Sequence, residues 1–134
     1  MAASYSIVIL SDNDNSHIAA HVDKSFEVTV TIDESQCMKA LSDKKHQLVL
    51  VDMNYSLISA TEICKSIKSD FDIPVIFVSS KDCNTERLEA YDCGADDYLK
   101  VNDLSTELHG RLERIIINKV ANDQLKMQLA QANE

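Results

Sequence analysis

Three aspartates stand where a carboxylate could do chemistry. Asp12 and Asp14 lie in "SDND", directly after the apolar run "SIVIL" (6–10), and Asp52 directly follows "QLVLV" (47–51). Carboxylates from two chain segments that meet at one place repel each other and invite a hard cation with oxygen ligands, as Mg2+ prefers. A hydroxyl and an ammonium beside such a cluster would suit a phosphoryl group. Candidates for both follow further apolar runs: Ser79 and Ser80 close "IPVIFVS" (73–79) and its continuation, and Lys100 lies near the end of "DDYLKV" (96–101). Asp also favours turns and helix caps, so Asp12 and Asp14 read as caps of a following helix too, and capping does not exclude metal binding.

Other reactive residue types form weaker patterns. The four cysteines, at 37, 64, 83 and 93, lack the short paired spacing of zinc sites and fall in segments that read as amphipathic helices, so they are expected as buried thiols. His17 and His21 are four apart, a spacing able to hold a metal, but no third ligand accompanies them. His46 and His109 pair with no nucleophile. A net charge of −9 disfavours binding to a phosphate backbone, which depends on Lys and Arg displacing counterions. It suits a cation better.

The elements that must position these residues follow from the hydropathy pattern. In 134 residues, 45% of them apolar, one ordinary core can form. Short apolar runs at 6–10, 26–30, 47–51, 73–79 and 96–101 alternate with helical spacing at 15–24, 34–44, 58–69 and 84–93, and the tail is helical as well. That alternation predicts an α/β fold, a doubly wound five-stranded parallel sheet with five helices. Three of the runs are apolar on both faces, as central strands covered on both sides must be. Gly94 is placed to end the fourth helix and Asn84 to cap its start. In such sheets ligands lie outside the carboxyl ends of the strands, where Asp12, Asp52, Ser79 and Lys100 all fall. A strand buried on both faces can therefore end in a carboxylate if metal and phosphate contacts offset its charge.

The ordered set "SIVILSDND", "LVLVDMN", "IPVIFVSSKD" and "CGADDYLK" resembles the receiver domain of two-component response regulators over about residues 5–117. The resemblance implies a flavodoxin-like fold and a phosphoacceptor in place of a turnover enzyme. It places the phosphoryl group, received from a histidine kinase or phosphotransfer protein, on Asp52. Mg2+ would be held by Asp12, Asp52 and the backbone carbonyl of Asn54, with Asp14 as a further candidate. Ser79 would bond the phosphoryl oxygen, and Tyr98 would be the aromatic that changes rotamer with it.

Three departures from the family pattern stand out. Ser11 occupies the first of the two adjacent acidic positions, and Ser56 replaces the usual Pro. Val101 and Asn102 stand where the family has Lys-Pro, which leaves Lys100 one residue early. Strand neighbours point to opposite faces, so only a bulge or a shortened loop would return Lys100 to the phosphoryl site. Loss of that ammonium removes a charge-assisted contact of about 1.5–3 kcal/mol. The first helix also reads about one turn short.

The tail "ELHGRLERIIINKVANDQLKMQLAQANE" is longer than a last receiver helix needs. A receiver at 1–117 and a helical extension at 118–134 are expected, the extension either solvated or pairing in a homodimer. By family analogy it leads to an output module, such as a diguanylate cyclase or a histidine kinase, engaged through the face formed by the fourth helix, the fifth strand and the last helix. Two other functions fit parts of the sequence. One is a pseudo-receiver that binds proteins without phosphorylation, which Ser11 and Val101 favour. The other is a haloacid dehalogenase-type phosphatase with Asp12 as nucleophile and Asp14 as acid, because "ILSDNDNS" resembles that Asp-x-Asp motif and Ser79, Lys81 and Asp96 or Asp97 could serve as later motifs. It leaves Asp52 unexplained. With no run of about 18 apolar residues and no basic leader, a cytoplasmic protein without membrane or nucleic-acid contacts is expected.

Overall fold

A computed structural model describes residues 5–11, 17–20, 22, 26–43, 45–52, 57–79 and 84–132. Five strands, β1 (Ser6–Leu10), β2 (Glu27–Thr31), β3 (Leu48–Asp52), β4 (Val75–Ser79) and β5 (Asp97–Lys100), form one parallel sheet in the order β2-β1-β3-β4-β5. They alternate with α1 (His17–Ala20), α2 (Glu34–Leu41), α3 (Leu57–Asp70), α4 (Asn84–Asp92) and α5 (Leu104–Ala132). The doubly wound sheet expected from the sequence is the one formed. Of the first helix only His17–Ala20 lies within the described residues. The start of α4 differs by one position: Asn84, expected as its cap, is its first helical residue.

Strand alternation divides the core into two layers. Val8, Leu10, Val49, Val51, Val75, Phe77 and Tyr98 face one way and pack on α2, α3 and α4 through Cys37, Leu41, Ala60, Ile63, Cys64, Ile67 and Ala90. Ile7, Ile9, Leu48, Leu50, Ile76, Val78 and Leu99 face the other way, onto Ile18 of α1 and Leu104, Leu108 and Leu112 of α5. The spacing of the α3 and α5 residues, three or four apart, is what gives each helix a single apolar stripe. Each fully buried aliphatic contributes about 1.5–3 kcal/mol of transfer free energy, so the three central strands, buried along their whole length, anchor the sheet. Cys37, Cys64 and Cys93 are free and buried, as expected, and burial pushes the Cys37 thiol up to about 11.

Gly94 ends α4 with φ +97, a left-handed conformation that suits glycine. Gly94 N–H donates to the Tyr91 carbonyl and Ala95 N–H to the Ala90 carbonyl, both at 3.1 Å, the paired bonds of a Schellman cap. The turn delivers the chain to β5, where Asp96 accepts from Val75 N–H at 2.8 Å and from Lys68 Nζ at 2.9 Å.

Candidate functional site at the carboxyl edge of the sheet

The site is built from strand ends. β1 pairs with β2 on one side and β3 on the other, so the winding reverses between β1 and β3, the point outside whose carboxyl ends sheets of this kind bind ligands. Leu10 lies opposite Val51, which sets Ser11 level with Asp52 on the neighbouring strand. Asp52 is the last residue of β3 and is 2% exposed; Ser11 is equally buried, and its Oγ donates to Asp52 Oδ2 at 3.0 Å. A carboxylate so deep needs hydrogen-bond donors or a cation, and Ser11 supplies one donor. Where the sequence resemblance expects an acid, a neutral hydroxyl therefore touches the central aspartate directly. Hard oxygen donors of this kind fit Mg2+. The other expected ligands, Asp12, Asp14 and the Asn54 carbonyl, lie outside the described residues, as do Ser56, Ser80 and Lys81.

On the other side of β3, Asp52 is paired with Val78, and Ser79 is one residue further along β4. Ser79 is buried; its hydroxyl donates to Glu86 Oε2 at 3.3 Å. Tyr98, also buried, donates its hydroxyl to the same Glu86 oxygen at 3.4 Å, and the Arg87 guanidinium carbon lies 5.0 Å from the centre of its ring. Two residues picked from the sequence are thus brought together by a third, Glu86, that was not. Its signal in the sequence was faint: an acid in the first turn of a helix, where helix dipoles favour negative charge in any case.

Lys100 is resolved by the ladder. Phe77 pairs with Tyr98, Val78 with Leu99 and Ser79 with Lys100, without interruption, so no bulge restores the missing register. By alternation Lys100 shares the face of Tyr98 and stands beside Ser79. Val101, buried with Leu99 and Leu104 in the layer under α1 and α5, takes the face on which Asp52 lies.

Asp96 and Asp97, drafted from sequence as later phosphatase motifs, are committed elsewhere. Asp96 binds the first strand N–H of β4, at the amino edge, the far end of the sheet from Asp52. Asp97 Oδ2 pairs with Arg111 Nη1 at 2.7 Å and raises the guanidinium above its ordinary pKa through that hydrogen bond. Glu107 adds a second contact to Arg111 at 3.3 Å and Tyr91 a second to Asp97 at 3.4 Å, knitting α4, β5 and α5 into one face. Among the described residues no three His, Cys, Asp or Glu side chains form a metal cluster, and no helix is long and apolar enough to cross a membrane.

Comparison with known proteins agrees with this architecture. The heme response regulator HssR of Staphylococcus saprophyticus is 28% identical over 107 residues, 76% of this chain and 48% of that protein. The sensory transduction protein RegX3 of Mycolicibacterium smegmatis is 27% identical over 100 residues, 75% of this chain and 44% of that protein. The chain thus spans about half the length of the curated relatives it matches. Among solved structures, NtrX from Brucella abortus superimposes with a TM-score of 0.74 at 19% identity, over 91% of this chain and 29% of that one. The signal receiver domain of the LuxO repressor protein from Vibrio parahaemolyticus gives 0.72 at 16% identity, over 89% and 98%. At these identities the likeness establishes the fold, which is that of receiver domains. The profile of the response regulator receiver domain spans residues 7–113, from the second residue of β1 into α5, and the chain belongs to that family of two-component signalling domains.

Proposed function

We propose that this domain accepts a phosphoryl group on Asp52 from a histidine kinase or phosphotransfer protein and passes the change to an attached output module. The observation that carries the reading is the placement of Asp52: a buried carboxylate closing the central strand beside the winding reversal, with Ser79 one step along the neighbouring strand. Asp52, Asp12 and the Asn54 carbonyl, with Asp14 as a further ligand, would hold Mg2+, whose charge offsets that of the incoming phosphoryl oxygens. Asp52 supplies the attacking carboxylate oxygen, and Ser79 supplies a hydroxyl to the transferred group. The face of α4, β5 and α5, tied together by Asp97 and Arg111, and the long last helix lead the signal onward. A diguanylate cyclase or a histidine kinase suits such an exit helix. The reading also places the domain in the cytoplasm, divides the chain into a receiver at 1–117 and an extension at 118–134, and allows a homodimer through that extension.

A second reading, a pseudo-receiver that works by protein binding alone, is favoured by the Ser11 contact to Asp52 and by Val101 on the Asp52 face. One experiment separates the two. The protein is incubated with Mg2+ and acetyl phosphate and its intact mass followed, with Asp52→Asn alongside. A single phosphoryl adduct that vanishes in Asp52→Asn is the expected result. Absence of any adduct under conditions that leave the protein folded would turn the assignment to the pseudo-receiver.

A further inference from the structure

We infer that Glu86 is a positioning residue that holds Ser79 and Tyr98 in the unphosphorylated arrangement and opposes transfer of the Ser79 hydroxyl to a phosphoryl group on Asp52. This rests on the phosphoacceptor reading above. Ser79 and Tyr98 are 1% and 2% exposed, so neither hydroxyl can turn to bulk water without local rearrangement, and each needs a protein partner. Both find one on a single atom, Glu86 Oε2, at 3.3 and 3.4 Å. Ser79 and Tyr98 both donate to this one oxygen, so neither can leave without altering the partner that the other shares. Both distances are long for O–H···O bonds, which makes each contact weak. A phosphoryl oxygen offers a shorter, charge-assisted bond and would draw Ser79 away.

The consequence is a linkage. Whatever stabilises the unphosphorylated arrangement lowers the apparent affinity for a phosphoryl group by the same factor. Arg87, next in the chain and stacked on the Tyr98 ring, holds the aromatic against α4 while the latch is closed. The latch joins α4 to β4 and β5, so its release changes the α4 and β5 surface directly.

The test uses beryllofluoride, a phosphoryl mimic, titrated with Mg2+ into the wild-type chain, Glu86→Ala, Glu86→Gln and Asp52→Asn, following backbone amide signals, with thermal unfolding of each ligand-free protein measured in parallel. Removal of the carboxylate is expected to tighten beryllofluoride by about 3- to 10-fold in Glu86→Ala, while the unfolding temperature falls or is unchanged. Glu86→Gln, whose amide oxygen still accepts, should lie between Glu86→Ala and wild type. A residue that merely supports the fold would weaken stability and ligand binding together. Unchanged or weaker binding in Glu86→Ala, with wild type binding in an Asp52-dependent way, overturns the latch and leaves the phosphoacceptor reading intact. No Asp52-dependent binding in any variant overturns both.

Discussion

A lysine displaced by one residue bears directly on the phosphoryl contact proposed for Asp52. The ladder through Ser79 and Lys100 is unbroken, so Lys100 stays on the Tyr98 face and Val101 fills the face of Asp52. On the proposed reading, a phosphoryl group on Asp52 would meet the Ser11 hydroxyl, which lies 3.0 Å from the carboxylate, and among the described residues β5 presents no ammonium on that face. Val101→Lys should supply the missing contact. Its stem would follow the apolar layer while the head reaches the edge, at some cost in stability from the lost valine packing. Beryllofluoride affinity should rise by about tenfold or more, the worth of a charge-assisted hydrogen bond. Lys100→Ala should change that affinity by less than about threefold, as expected for a solvated strand-end lysine. If Lys100→Ala instead abolishes binding and Val101→Lys adds nothing, Lys100 is the phosphoryl contact and β5 must shift on phosphorylation.

Elements were legible where hydropathy alone sets them. A strand buried on both faces has one reading, and β1, β3 and β4 fall within two residues of the apolar runs that announced them. Strand ends carry the candidate residues with them, which is why the positions of Asp52 and Ser79 at the ends of β3 and β4 could be read from the sequence. Glu86 could not, because its contacts reach from the first turn of α4 across to β4 and β5, and no periodicity encodes where a flexible side chain ends. Asp96 and Asp97 were misleading for the same reason: adjacent acids suggest chemistry, whereas here each meets a cation from another element, Lys68 of α3 and Arg111 of α5. Asp96 is the more structural of the two, since it also satisfies the Val75 N–H at the start of β4. Asp96→Ala leaves that strand-end donor without its partner and should destabilise the fold by about 1–3 kcal/mol. Urea unfolding checks this, and Lys68→Met, which keeps the bond to Val75, should cost clearly less. Equal losses would mean that the ion pair, and not the backbone bond, carries the effect.

On the scale of the whole molecule, one helix belongs to two environments. α5 has 29 residues, about 43 Å at 1.5 Å per residue, far more than a strand of this sheet can cover. Leu104, Leu108 and Leu112 bury against β1, β3, β4 and β5, Ile115 and Ile116 pack partly, and every described side chain from Ile117 onward is exposed. Ile117 and Leu125 are 65% and 54% exposed, so neither gains burial to offset the entropy of ordering its turn. A short helical segment standing alone is marginal in water, so the order of these turns depends either on continuity with the docked turns or on contacts with a partner. Truncation after residue 117 should therefore leave the receiver nearly as stable, with an unfolding free energy changed by less than about 1 kcal/mol and an unchanged urea slope, because almost no described surface is uncovered. Far-UV circular dichroism should lose helix signal in proportion to the residues removed if the extension is ordered in solution. Sedimentation of the two lengths then tells the source of that order: a dimer that becomes a monomer on truncation assigns the extension to pairing between two copies. Monomers at both lengths, with little helix lost, would mean that these turns await the output module.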